Sequence, residues 1–337
     1  MSDLVKNKHY ISVSGYGWTG SGACIDLLKE FKGFKALQGE FRIAKDPYGL
    51  VDLENSLVNN WDFIRHDVAI RDFLEYCKVL SRSTGIFSKP GKDFSNKLDI
   101  DFINESELYI NRLTDMKYLG NTFVNRYNIS VYQNLFMKLR SKLGLSNAKS
   151  MYFSRPTKNI FIKETRRYIN NLFNQYVGRR DVNAIILDQA IPPTNILNTS
   201  KYFEGVKTII VDRDPRDIYT NMIKRDKLLG PELRSMDSVD IYIKWHKKLR
   251  HVSVSDSSNT DISKYVLRLN FEDLVLNYND SILKIKDFLG GNMQHNQKNR
   301  YFNPSYSVKN IGLWKKYKDQ SVTRKINKEL EEYCYYD

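Results

Sequence analysis

Cysteine is scarce. The three present, Cys24, Cys77 and Cys334, lie far apart and form no CxxC pair or Cys/His cluster. That excludes a disulfide scaffold and a zinc site of ordinary spacing, and predicts a reducing compartment and no bound metal. No run of about 18 apolar residues occurs, so no transmembrane segment is expected. The opening MSDLVKNKHYISVSG lacks a signal-peptide apolar region, and the expected location is cytoplasmic. Repeats, low-complexity tracts and nucleic-acid-binding motifs are missing too. Acidic residues are in deficit, 39 Asp and Glu against 53 Lys and Arg, for a net charge of +14. Such a balance favours anionic partners, whether nucleotides, acidic glycans, nucleic acid or a membrane surface.

What is there suits a folded enzyme-sized domain. The 337 residues are 41% hydrophobic and 13% aromatic, enough for a sizeable core. Residues 9–14 (HYISVS) read as a buried strand, 21–31 as an amphipathic helix stopped by Gly33, and 34–38 as a second strand. From 60 to 180 the pattern is mostly helical, with a loop over 81–100 and a helix over 160–177. After 180, buried strands recur at 184–187, 206–211 and 265–269. Helices are expected at 216–228, 238–251 and 279–289. The alternation predicts an α/β fold with a central parallel sheet flanked by helices. It is read as a single domain, 1–337, with a helical insertion over 60–180 that contributes to acceptor binding.

The first motif is GYGWTGSG (15–22), set between a strand and a helix. Unpartnered amides at a helix N-terminus attract phosphate, and glycine lets the backbone approach it. The Gly-Lys-Ser/Thr ending of a Walker loop is absent, and so is a full GxGxxG. The second motif, VKTIIVDRDPRDIYTN (206–221), ends a buried strand on Arg213 and Arg216. Pro215 then opens a helix. Arginines at the carboxyl end of a strand stand where α/β sheets bind ligands, and their geometry suits phosphate.

These two motifs, in this order, resemble the 5′-phosphosulfate loop and the 3′-phosphate segment of sulfotransferases that use 3′-phosphoadenosine 5′-phosphosulfate (PAPS), closest in style to the carbohydrate and bacterial members. Two further segments agree: LRLNFEDLVLNYNDSILKIKDFLG (267–290), and SVKNIGLWKKY (307–317), similar to the family's nucleotide-closing segment. The resemblance implies a P-loop NTPase-like sulfotransferase fold and PAPS as donor, leaving 3′-phosphoadenosine 5′-phosphate (PAP), with no obligatory metal. It places Gly17, Trp18, Thr19, Gly20, Ser21, Gly22 and Ala23 around the 5′-phosphosulfate, with the Thr19 and Ser21 hydroxyls helping. It puts Arg213, Asn221 and Lys309 on the 3′-phosphate and Trp314 near the nucleotide. Two positions depart from the family pattern. Asn221 replaces a serine, and Trp18 replaces the Lys or Arg that balances charge on the bridging oxygen. Lys163, Arg166 and Arg167, on one face of the 160–177 helix, are the candidates for that missing cation.

Sulfuryl transfer also needs a base. Glu40, after the second strand, is the first candidate, with Arg42 on the same face to pair with it or to bind an anionic acceptor. Asp46 is a weaker candidate. His66, between Asp62 and Asp67, is the runner-up, whereas His246 in WHKKLRH reads as solvated. Residues 295–328 carry nine Lys/Arg and one acid. The expected acceptor is therefore an acidic or glycan molecule such as a polysaccharide, although a small phenol or a lipid glycan also fits. No nucleic-acid partner is expected. Two other readings stay open, a P-loop phosphotransferase and a non-catalytic basic binding module.

Overall fold

The structure is a computed structural model that describes residues 9–85, 90–120, 130–177, 182–225, 237–291 and 293–336. The chain divides into two compact units, residues 1–42 with 179–337, and residues 43–178. In chain order the first unit opens with β1 (His9–Ser14), α1 (Ser21–Leu28) and β2 (Phe34–Glu40). The second unit follows with α2 (Leu50–Glu54), α3 (Arg65–Ser81), α4 (Phe94–Leu98), α5 (Phe102–Leu113), β3 (Met116–Gly120), α6 (Val131–Lys142), β4 (Lys149–Phe153) and α7 (Lys158–Val177). The first unit resumes with β5 (Ala184–Asp188), α8 (Ile196–Ser200), β6 (Lys207–Asp212), α9 (Pro215–Lys224), α10 (Asp237–Ser257), β7 (Val266–Asn270), α11 (Phe271–Leu276), α12 (Tyr278–Leu289), α13 (Pro304–Ser307) and α14 (Gln320–Glu329).

The first unit is α/β. Its five strands are all parallel, in the order β2-β5-β1-β6-β7. β1 is central and buried from Tyr10 onward, as expected of a strand covered on both faces. Ile11, Val13, Ile186, Ile209 and Val211 pack with Cys24, Leu27 and Leu28 of α1. Parallel strands place all their carboxyl ends on one edge, so the segments after β1, β6 and β7 converge there.

Several expected boundaries move. The first helix stops at Leu28, because Phe31 leaves it to bridge His295 and stack on that ring at 4.8 Å. β2 runs to Glu40, and α10 runs to Ser257. α9 starts on Pro215 and is described to Lys224; the expected positions 226–228 lie outside the described residues. The inserted unit begins at 43 and is not wholly helical, since β3 and β4 form an antiparallel hairpin. Its core is aromatic. Tyr109 and Tyr168 stack at 4.6 Å, with Phe73 and Phe161 edge-on to Tyr109.

Glu30 anchors the C-terminal part of the first unit. It is fully buried, and its carboxylate accepts from the backbone N–H groups of Tyr301 and Phe302 (both 3.0 Å) and from His295 Nε2 at 2.7 Å. Burial alone would raise its pKa, but the Phe302 N–H, His295 and the Tyr301 N–H outweigh that and hold it below the ordinary 4.5. A depressed carboxyl contributes stability that is full above 4.5 and is lost as pH falls through the folded value. Glu30→Gln is expected to lower unfolding free energy by about 1–3 kcal/mol at neutral pH. Urea denaturation should show that gap shrinking once the pH drops below 4.5.

Candidate active site

Two glycines of the first loop, Gly15 and Gly20, leave no room for a side chain. A Cβ on Gly15 would lie 2.0 Å from Thr19 Oγ1. Gly20, the N-cap of α1, has φ +94°, and a Cβ there would sit 2.5 Å from Phe271 Cδ2. A Cβ on Gly22 would meet nothing within 4 Å, so the space beside Gly22 is open. No side chain caps α1. The Ala23 N–H donates to Gly20 O at 3.0 Å. The N–H groups of Ser21 and Gly22 find no partner among the described residues. With the helix dipole behind them they make an anion cradle. The Thr19 hydroxyl is buried and unpartnered, turned toward Gly15 and not toward the open side. Thr19 as a whole is 1% exposed.

The second motif ties segments together. Arg213 is 4% exposed. Its Nη1 donates to Trp18 O at 2.9 Å and its Nη2 to Asn310 O at 2.6 Å, while the guanidinium lies 4.9 Å over the Phe271 ring. Arg213 thus joins the first loop to the C-terminal segment. Its Nε is buried without a partner, and burial lowers its pKa despite Asp217, Glu272 and Asp214 nearby. Asp217 accepts from Gly312 N at 2.7 Å and Trp314 N at 3.0 Å; burial nevertheless raises its pKa. Arg216 is structural. It pairs with Asp214 through Nε and Nη2, donates to Asn327 Oδ1 at 2.7 Å, and covers the Trp314 ring at 4.1 Å. Trp314 is thereby held by the protein's own arginine, on the wall of a 270 Å³ cavity with Asp214, Asp217 and Glu272. Burial pushes the Glu272 carboxyl up to about 7, although it accepts from the Asp214 N–H.

Trp18 has left-handed backbone (φ 61°) and packs against the apolar cluster that α9, α10 and α14 build. Over its ring, at 5.1 Å, sits the guanidinium of Arg225, whose Nε donates to Asn221 Oδ1 at 3.3 Å. The tryptophan that displaces the expected loop cation therefore carries an arginine on its face. Sequence reasoning missed Arg225, although its i, i+4 relation to Asn221 is readable. The Lys309 amine lies 3.2 Å from the centre of the Tyr306 ring, on the residue just before the Asn310 carbonyl that Arg213 holds.

Glu40 ends β2 opposite Asp188, at the carboxyl edge of the sheet. Two strand spacings, about 10 Å, separate β2 from β1. Arg42 Nη1 reaches Glu40 Oε2 at 3.3 Å, and both side chains are partly exposed. His66 is different. It is buried in the second unit, with Nδ1 2.9 Å from Asp62 O and Nε2 3.0 Å from Tyr152 O. Both ring nitrogens face backbone carbonyls, and the neutral ring has one N–H to donate to them. Asp46 meets Tyr76 Oη at 3.1 Å. Lys163, Arg166 and Arg167 occupy the outward face of α7, where Arg167 lies 3.9 Å from Glu164. His246 is buried, not solvated, and burial and Arg250 lower its pKa to about 3. Among the described residues no cluster of His, Cys, Asp or Glu could hold a metal, and no helix is long and apolar enough to cross a membrane. A 510 Å³ cavity lined by His9, Phe34, Ala184 and Lys207 lies at the amino ends of the strands. Ligands of such sheets bind at the opposite, carboxyl ends.

The loop geometry separates two substitutions. Gly20→Ala should cost about 1–3 kcal/mol, from the positive φ and the Phe271 clash. Gly22→Ala, in a helix facing open space, should leave stability within about 1 kcal/mol of wild type or raise it. Thermal denaturation of the two variants checks the difference.

No family model matches the chain, and no curated protein matches it. Solved structures do. The chain is similar to the sulfotransferase domain from the curacin biosynthetic pathway, at 12% identity and TM-score 0.45, over 96% of this chain and 98% of that one. It is similar to the sulfotransferase domain from the Synechococcus PCC 7002 olefin synthase, at 12% identity and TM-score 0.43, over 98% and 95%. A third is retinol dehydratase in complex with androsterone and the inactive cofactor PAP, at 17% identity and TM-score 0.34, over 96% and 80%.

Proposed function

We propose that this chain is a sulfotransferase that moves a sulfuryl group from PAPS to a hydroxyl or amine of an acidic or glycan acceptor. One observation carries the reading. At the carboxyl edge of the parallel sheet, Arg213 brings the uncapped loop before α1 together with the Asn310 segment, and no Walker lysine is present. The arrangement suits a nucleotide with phosphate at both ends better than a magnesium triphosphate.

In this reading the Ser21 and Gly22 amides hold the 5′-phosphosulfate at the mouth of α1, with Gly17 and Gly20 shaping the loop. Asn221, its Oδ1 taken by Arg225, offers Nδ2 to the 3′-phosphate. Arg213 holds the two segments around that phosphate, and Lys309 approaches from the C-terminal segment. Arg225, presented on Trp18, replaces the loop cation and neutralises charge as the bridging oxygen leaves. It is preferred over Lys163 and Arg166 because it rests on the substituted residue itself. The acceptor oxygen or nitrogen attacks sulfur in line. The bond from sulfur to the bridging oxygen breaks, PAP departs, and the acceptor proton passes to the Glu40 carboxylate. Arg42 beside Glu40 and the basic 295–328 segment favour an acidic acceptor.

The test is PAP release from PAPS with a panel of acidic polysaccharides as acceptors. Glu40→Gln should lower kcat by about 10²–10⁴ with PAP affinity unchanged. Arg225→Ala should lower it by about 10²–10³. Full turnover in both variants would remove these roles, and phosphoryl transfer from ATP in place of PAPS turnover would favour the phosphotransferase reading.

A further inference from the structure

Within the second unit, α6 sends no residue into a core among the described residues. It begins on a complete capping box: Ser130 Oγ accepts from Gln133 N at 3.2 Å, and Gln133 Oε1 accepts from Ser130 N at 3.0 Å. Yet none of its 12 residues is buried. A helix of this length is marginal in water unless one face packs on something. The face available is apolar. Val131, Tyr132, Leu135, Phe136 and Leu139 are all exposed, Tyr132 at 85% and Leu135 at 66%, and Leu143 continues the stripe. At 3.6 residues per turn these six fall within an arc of roughly 140°. Lys138 and Lys142 lie at one edge of the arc and Arg140 just beyond the other. Gln133, Asn134 and Ser141 lie opposite.

Charge selects the occupant. From 116 to 163 the chain carries nine Lys/Arg and no Asp or Glu. Two copies pairing through this face would bring Lys138, Arg140 and Lys142 of each together with no local carboxylate to meet them. An anionic lipid surface satisfies both features at once: the apolar arc enters the acyl boundary while the flanking amines and guanidinium stay at the headgroups. We propose that α6 lies in the plane of a membrane interface and holds the protein peripherally on anionic lipid. This inference does not depend on the proposed chemistry.

The full-length chain is sedimented with vesicles of phosphatidylcholine and with vesicles in which a third of the lipid is phosphatidylglycerol. Binding should favour the anionic vesicles by roughly tenfold or more and weaken with salt. The Leu135→Asp/Phe136→Asp variant should lose roughly tenfold or more of that binding. Lys138→Glu/Lys142→Glu should lose binding and most of its salt dependence. All four positions are exposed, and circular dichroism confirms that each variant is folded. No preference for anionic vesicles would overturn the proposal, as would wild-type binding in the first variant. A dimer in sedimentation equilibrium that the first variant abolishes, without vesicle binding by the wild type, would overturn it in favour of a second copy on this face.

Discussion

A buried guanidinium must find acceptors or forfeit several kcal/mol of solvation, roughly the range known for unpaired buried charges. Arg213 finds two carbonyls, Trp18 O and Asn310 O, that belong to segments far apart in the chain. Phe271 supports it from below, and the same ring is what forbids a side chain at Gly20. The conformation of the first loop, the position of the C-terminal segment and the start of α11 therefore share one interaction. Arg213 can reach all three only because β6 is parallel to β1 and β7 and ends beside both.

The residues around it extend this role. Asp212 pairs with Arg250 of α10 and Arg268 of β7, and Arg268 continues to the Tyr16 hydroxyl at 2.6 Å. Asp214 holds Arg216 and receives the Tyr335 N–H at 3.2 Å. Asp217 caps the turn at Gly312 and Trp314. From 212 to 217 every charged side chain thus fixes another part of the protein, and Arg213, Arg216 and Asp217 converge on residues 310–314. Most of the motif's charge is spent on the protein itself. The groups left for a ligand are peripheral to it: the two free amides of α1, the Asn221 amide, Arg225 and Lys309.

The parallel sheet is legible in the sequence because its strands are short, β-branched and bounded by turn residues, and the motif order places the two loops at one edge. The β3–β4 hairpin is not. MKYLG and KSMYF are lysine-bearing, and of their residues only Met151 is buried, so they give no buried run to detect. His246 reads as solvated from its basic neighbours. Helical spacing is the better guide: Tyr242, His246 and Arg250 recur every four residues on the buried face of α10. His66 draws attention through two nearby carboxylates, whereas the Asp62 group that meets it is a backbone carbonyl. Arg225 lies beyond the arginine motif, and only the fold stacks it on Trp18.

Everything proposed for the chemistry turns on a site for adenosine 3′,5′-bisphosphate around the Arg213 junction. Calorimetric titration of the full chain with that nucleotide, without magnesium and beside ATP, tests it most directly. The expected result is saturable binding of the bisphosphate that ATP does not match and that Arg225→Ala and Lys309→Ala each weaken. Equal binding of ATP, a requirement for magnesium, or no binding of the bisphosphate would contradict it.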